Sequence, residues 1–149
     1  MKIHDCISAI ISRKGSDIWS IPSDASVYSA IETMADRRIG ALLVIDEGRL
    51  VGILSERDYA RKVMLKGKSS KDTFVREIMT PSPISIGLDT TVDEAMRIIT
   101  TNRIRHLPVV DRDRVVGILS IGDVVNWIIA SQDQAIEHLE NYIAGGYPR

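Results

Sequence analysis

Cysteine is almost absent from this 149-residue chain, and histidine is sparse. The single cysteine, Cys6, excludes an internal disulfide and any Cys-x-x-Cys redox or zinc pair, and we expect it to be a small buried apolar residue. The three histidines, His4, His106 and His138, lack metal-ligand spacing. The sequence therefore predicts no disulfide and no metal site.

Long apolar runs and an excess of one charge are also missing. No apolar run approaches the roughly 18 residues that a membrane span needs. The net charge of -1 provides no overall basic field for nucleic acid. The segment Met1–Asp5 lacks the charged region, apolar core and cleavage site of a secretory signal. We expect a cytoplasmic protein that binds neither nucleic acid nor membrane.

Familiar catalytic motifs are absent as well. The chain has no nucleophile elbow of a Ser-His-Asp enzyme, no Cys-His dyad and no Gly-x-x-x-x-Gly-Lys phosphate loop. With 44% hydrophobic and 26% charged residues, its composition is that of an ordinary globular domain. We expect no enzymatic activity and no catalytic cofactor.

An internal repeat is the strongest feature that is present. Residues 18–61 align with residues 83–126 at an offset of 65 residues without a gap, and 17 of the 44 aligned pairs are identical. The identities form blocks, of which the longest is Val51–Ser55 against Val116–Ser120. Such self-similarity indicates one structural unit written twice.

Each copy has the hydrophobic pattern of a βαββα unit. In the first copy Val27, Ile31 and Met34 recur at helical spacing between short apolar strands, and a turn joins the strands Ala41–Ile45 and Leu50–Leu54. Strands that are apolar on both faces need cover on both sides, and a unit of about 45 residues is too small to supply it alone. We therefore expect an α/β fold of the α+β type, with two βαββα repeats packed sheet to sheet about a pseudo-twofold axis.

Segments outside the repeat complete the expected organisation. The predicted boundaries are an N-terminal helix and lead-in at 1–17, the first repeat at 18–66, a linker at 67–82, the second repeat at 83–130, and a C-terminal helix and tail at 131–149. Short helices are expected at Asp5–Arg13 and Phe74–Met79. The helix Ser131–Ile143, ended by Gly145-Gly146, is expected to pack on the body or on a twin subunit rather than on another protein.

The motif Gly-Ile-Leu-Ser-x-x-Asp occurs at Gly52–Asp58 and again at Gly117–Asp123, where a strand turns into a helix. Ser-x-x-Asp at a helix start is typical of an N-cap. Alternatively, the serine hydroxyl and the helix N-terminus bind an anion while the carboxylate accepts hydrogen bonds from a sugar diol. The two interpretations are compatible, and the duplication favours the second.

These motifs resemble those of a tandem pair of CBS domains, the cystathionine-β-synthase-type regulatory modules. The resemblance covers about residues 11–131. Besides the paired motif it includes Arg-His-Leu-Pro-Val-Val-Asp at Arg105–Asp111. The segments Ser55–Lys62 and Asn141–Tyr147 are similar to those of stand-alone CBS-pair proteins of bacteria and plant organelles.

The resemblance implies a sensor that binds an adenine nucleotide between the repeats. Usual ligands of the family are AMP, ADP, ATP, NAD or S-adenosylmethionine. Binding is expected to change the packing of the repeats and the affinity for an unidentified protein target, and a symmetric homodimer is expected. The alternative is a structural interaction module with empty or degenerate pockets.

The resemblance also implies two unequal sites. The first would comprise Ile53, Ser55, Arg57, Asp58, Ile84, Ile104, Arg105 and His106. The second would comprise Lys14, Ile18, Trp19, Ile39, Gly40, Ser120, Gly122 and Asp123. Since Arg105-His106 align with Gly40-Ala41, the first site is predicted to prefer the more anionic nucleotide. His106 as a structural histidine, Trp19 as a core residue, and Lys14 and Arg57 as surface charges are the alternatives.

Overall fold

A computed structural model describes residues 4–15, 17–141 and 143 of the chain. The helices are α1 (Ile7–Lys14), α2 (Val27–Arg37), α3 (Glu56–Tyr59, continued by a π-helical turn at Ala60–Met64), α4 (Val75–Ile78), α5 (Val92–Asn102) and α6 (Ile121–Asn141). The strands are β1 (Ser20–Ile21), β2 (Ala41–Asp46), β3 (Arg49–Ser55), β4 (Thr80–Pro81), β5 (His106–Asp111) and β6 (Arg114–Ser120). This order confirms the mixed α/β class and the repeated unit.

The two repeats share the same central hairpin. Strands β2 and β3 pair antiparallel, as do β5 and β6, and the register shifts at equivalent positions in both. Both turns place two consecutive residues at positive φ, namely Glu47-Gly48 and Arg112-Asp113. Such turns match the twist of the flanking strands.

The outer strands of the repeats differ. In the first repeat β1 pairs parallel with β2, and β4 extends the sheet beyond β3. In the second repeat the expected counterpart of β1 is reduced to one parallel bridge between Ile86 and Val109. The linker strand β4 was not predicted, because two residues carry no readable alternation of apolar and polar side chains.

Helices α2 and α5 begin and end alike. The hydroxyls of Ser26 and Thr91 each accept a hydrogen bond from the backbone N–H three residues later, which caps the helix start. Arg38 and Arg103 end the helices in the left-handed conformation. The predicted helical faces are therefore held in equivalent positions over the two hairpins.

The helices that precede the two repeats, α1 and α4, each pack on the other repeat rather than on the one that follows them. Helix α1 precedes the first repeat but contributes Ile7, Ile10 and Ile11 to the core of the second. Helix α4 contributes Val75 and Ile78 to the core of the first. The core of the second repeat is thus completed by the helix before the first repeat, and the core of the first repeat by the helix before the second.

The C-terminal helix α6 is continuous from Ile121 to Asn141. The expected boundary between residues 130 and 131 therefore falls inside one helix. Ile136 and Leu139 are 53% and 61% exposed, so these two side chains do not pack on the body of the chain, and the alternative of packing on a twin subunit stays a prediction. The expected helix end at Gly145-Gly146 lies outside the described residues, as does Met1–Ile3. Cys6 is half-buried rather than buried. None of the described helices has the length and apolar character to cross a membrane.

The repeats meet through β3 and β6. At the end of each of these strands the following helix is tied to the other strand of its hairpin. The N–H of Glu56 donates to the Gly40 carbonyl at 3.0 Å, and the N–H of Ile121 donates to the Arg105 carbonyl at 2.8 Å. The two Ser-x-x-Asp motifs therefore lie at the cleft between the repeats.

Candidate ligand-binding cavities

Two cavities lie in the cleft between the repeats. The first has a volume of about 370 Å³ and the second about 270 Å³. Gly40 and His106 line both, so these two residues form the shared wall. They come from equivalent regions of the two repeats, close to the pseudo-twofold axis. Within the described part of the chain no group of three metal-ligating side chains is found.

The first cavity brings together every residue that the sequence predicted for it. Its lining includes Ile53, Ser55, Arg57, Asp58, Ile84, Ile104, Arg105 and His106. It also includes seven residues that were not predicted: Gly40, Glu56, Arg61, Thr80, Ser82, Pro83 and Arg103. Three of these, Thr80, Ser82 and Pro83, belong to or follow the short strand β4, which the sequence pattern did not indicate.

The Ser55-x-x-Asp58 motif forms a capping box. The N–H of Asp58 donates to Ser55 Oγ at 3.2 Å, and the N–H of Ser55 donates to Asp58 Oδ2 at 2.9 Å. The ammonium of Lys62 lies 3.4 Å from Asp58 Oδ1 and donates to the Ile78 carbonyl. The cap interpretation is therefore realised, and the same buried carboxylate also reaches the first cavity.

The second cavity differs from the prediction. Lys14, Trp19, Ile39, Gly40 and Ser120 line it as predicted, whereas Ile18, Gly122 and Asp123 do not. Ile18 is half-buried just before β1, and Gly122 is exposed on the first turn of α6. The carboxylate of Asp123 is covered by the Lys14 ammonium, 2.6 Å away. Ala41, His106 and Ile118 line this cavity without having been predicted for it.

Trp19 is neither a core residue nor an unpartnered platform. Its side chain lines the second cavity and the residue is 36% exposed. The guanidinium of Arg37 lies 4.0 Å from the centre of its ring, a cation–π geometry. The ring is thus held in place at the mouth of the second cavity.

Positive charge is distributed unequally between the cavities. Arg57, Arg61, Arg103 and Arg105 line the first, together with the carboxylates of Glu56 and Asp58. Lys14 is the single cationic residue among the described ones that line the second. Guanidinium groups bind phosphate oxygens in a fork geometry, so the anion preference of the first cavity stays a prediction that this distribution of arginines favours.

The imidazole of His106 separates the two cavities as a neutral group. Burial lowers its pKa, and the positive charge of Lys14 lowers it further. Asp123 acts in the opposite direction, and Arg105 adds to the lowering. At neutral pH His106 can therefore offer a hydrogen bond but little positive charge to an anion.

The sequence and the fold place this arrangement in a known family. The family model described as the CBS domain matches residues 7–65 and 75–130. The chain belongs to the CBS-domain family. The mitochondrial CBS domain-containing protein CBSX3 of Arabidopsis thaliana is 41% identical over 141 residues, which cover 91% of this chain and 68% of the relative. Some other curated relatives are longer proteins, and the match covers 22% of one of them, CBSCBSPB5 of Arabidopsis thaliana.

Solved structures of CBS proteins have the same fold. A putative signal-transduction protein with CBS domains from Burkholderia ambifaria is 43% identical with a TM-score of 0.82, and the match covers 86% of this chain and 96% of that one. The CBS pair of protein MJ0100, solved with 5'-methylthioadenosine and S-adenosylmethionine, is 28% identical with a TM-score of 0.77. That match covers 87% of this chain and 99% of the other. The predicted tandem CBS organisation is confirmed, while the cytoplasmic location stays a prediction.

Proposed function

We propose that this CBS pair is a regulatory module that binds an adenine nucleotide in the first cavity. The observation that carries the proposal is the convergence there of the buried Asp58 carboxylate with a cluster of arginine side chains. The cavity volume of about 370 Å³ lies within the usual range of ligand pockets, roughly 300–1,000 Å³. The adenosine ligands of the MJ0100 pair support the choice of ligand class.

The lining divides into parts that suit each portion of a nucleotide. Asp58 is placed to accept hydrogen bonds from the ribose hydroxyls. The side chains of Ile53, Ile84 and Ile104 provide apolar surface for the purine, and Ile84 is 44% exposed in the structure. The surrounding guanidinium groups suit the phosphates, so AMP, ADP, ATP or NAD should bind more tightly than a neutral nucleoside.

A ligand in this cavity would contact both repeats. Asp58 belongs to the first repeat, whereas Ile84, Ile104 and Arg105 belong to the second. A nucleotide that bridges them favours the arrangement of repeats in which both sets of contacts are made. Differential affinity for that arrangement is what allows a ligand to change the binding of a protein target. The proposed role is regulation by binding, without catalysis.

A homodimer through α6 is part of the proposal. Val125, Ile129, Ile136 and Leu139 are exposed on this helix, and Ile143 is exposed just beyond it. Their spacing, with Gln132 between Ile129 and Ile136, follows the alternating steps of four and three residues of a coiled-coil seam. A second copy of the same helix is the partner that matches such a stripe, and one polar position within it would fix the register.

Calorimetry on paired variants tests the nucleotide site. Wild-type protein should bind AMP, ADP, ATP or NAD, and ligand at about 100 times its dissociation constant should add about 2.7 kcal/mol of stability. Asp58→Ala should remove one AMP site, whereas Asp123→Ala should leave the first cavity unaffected. Melting of each variant without ligand separates loss of the helix cap from loss of binding.

Two outcomes would contradict the proposal. If no thermal shift occurs with AMP, ADP, ATP, NAD or S-adenosylmethionine, the protein is not a nucleotide sensor, and a structural interaction module becomes the better description. If Asp58→Ala folds and keeps every site of the wild type, the ribose does not bind to this carboxylate.

A further inference from the structure

The segments that precede the two repeats, which contain α1 and α4, are not related by the 65-residue offset that relates the repeats. The isolated bridges join Cys6 to Thr91 and Phe74 to Ser26. The repeat residues Ser26 and Thr91 are 65 positions apart, whereas the flanking residues Cys6 and Phe74 are 68 apart. The segment from Cys6 to the start of β1 at Ser20 is therefore three residues longer than its counterpart from Phe74 to Ser85, and α1 has eight residues where α4 has four.

This difference places Lys14 where the other repeat has Ser82. Each of the two residues lines the cavity next to it. A serine hydroxymethyl leaves the first cavity open, whereas the lysine side chain extends across the second. The smaller volume of the second cavity, about 270 Å³, agrees with this arrangement.

The ammonium of Lys14 occupies the Asp123 carboxylate, which is the expected ribose partner of the second cavity. It donates to Asp123 Oδ2 at 2.6 Å and to the Ile118 carbonyl at 2.7 Å. The N–H of Ser120 also donates to Asp123 Oδ2, at 2.8 Å. Burial alone would raise the pKa of Asp123, but the hydrogen bonds from Lys14 and Ser120 outweigh it and lower the pKa. The carboxylate of Asp123 is thus charged at neutral pH.

We propose that Lys14 determines the ligand specificity of the second cavity by holding its carboxylate until an anionic ligand group draws the ammonium away. A neutral ribose diol provides no charge to replace Asp123 as the partner of Lys14. A phosphate group does, because the ammonium can pair with it and release the carboxylate to the sugar. The second cavity therefore accepts phosphorylated nucleotides and rejects nucleosides. This inference adopts the ligand class proposed above.

Counting bound ligand on the full chain by equilibrium dialysis at saturating concentration provides the test. Wild-type protein should bind one adenosine and two AMP. Lys14→Met keeps the apolar stem but removes the charge, and it should bind two adenosines. Lys14→Arg keeps the charge and should bind one, as the wild type does. Adding Asp123→Ala to Lys14→Met should return the count to one.

The outcomes separate this inference from the proposed nucleotide site. An adenosine count that stays at one in Lys14→Met and in Lys14→Gln, while the first cavity still binds, overturns the role of Lys14 alone. Two adenosines bound by the wild type also overturn it. If the first cavity binds nothing but Lys14→Met gains one site, the proposed function fails and the role of Lys14 stands.

Discussion

At the scale of single residues, His106 lies between the two cavities of the cleft. It lines both cavities, and the charges that face it are Lys14 and Asp123 on one side and Arg105 on the other. Its repeat counterpart is Ala41, which has no polar side chain. The shared wall is therefore asymmetric, with a titratable side chain on one side of it only.

The lowered pKa of His106 predicts a pH dependence of stability. An unfolded histidine titrates at about pH 6.5. Since the folded pKa lies lower, the folded state binds fewer protons there, and the free energy of unfolding should fall as the pH drops through about 6.5. Urea unfolding at pH 7.5 and 5.5 should show this loss in the wild type and a smaller one in His106→Gln. The exposed His4 provides the control: His4→Gln should retain the wild-type difference, and an unchanged difference in His106→Gln would contradict the assignment.

All eight residues predicted for the first cavity line it, whereas three of the eight predicted for the second do not. Ser55 and Asp58 belong to a local motif, and Arg105 stands out where the repeats differ, so both signals are present in the sequence. The Lys14–Asp123 pair joins residues 109 positions apart. Nothing local indicates it, because Lys14 lies before the aligned region and the three-residue difference between the segments that precede the two repeats is visible only once the bridges are known.

At the scale of elements, sequence patterns did not reveal the exchange of α1 and α4, by which each helix packs on the repeat that does not follow it. The expected helices Asp5–Arg13 and Phe74–Met79 resemble the observed α1 and α4, but amphipathic spacing does not say which core a helix covers. That information resides in long-range backbone pairing. The N–H of Ile7 donates to the Thr90 carbonyl at 2.8 Å, which anchors α1 to the second repeat.

Matched substitutions in α1 and α4 test this exchange. Ile7 and Ile78 are 0% and 1% exposed, and truncation of either to alanine should cost about 2–5 kcal/mol. Ile7→Ala should accelerate amide hydrogen exchange mainly in β5 and β6, and Ile78→Ala mainly in β2 and β3. Faster exchange of β2 and β3 in Ile7→Ala, or equal acceleration of both hairpins, would contradict separate cores.

At the scale of the whole molecule, the apolar stripe of α6 is the largest feature that the fold leaves without an internal partner among the described residues. Its residues cover more than four turns of a helix that leaves the body of the second repeat. In the proposed dimer, a ligand that shifts one repeat against the other would also shift the helices that join the two copies. Nucleotide binding and dimer strength would then be linked.

Light scattering after size-exclusion chromatography tests the dimer. Wild-type protein should have twice the chain mass of 16.5 kDa, and its melting temperature should rise with protein concentration. Ile136→Glu places a charge on the seam and should weaken dimerisation at least about tenfold, since a desolvated unpaired charge is costly. Glu137→Gln changes an exposed neighbour off the seam and should leave the dimer intact. A wild type that is monomeric at high concentration, or a dimeric Ile136→Glu, would mean that α6 does not join two copies.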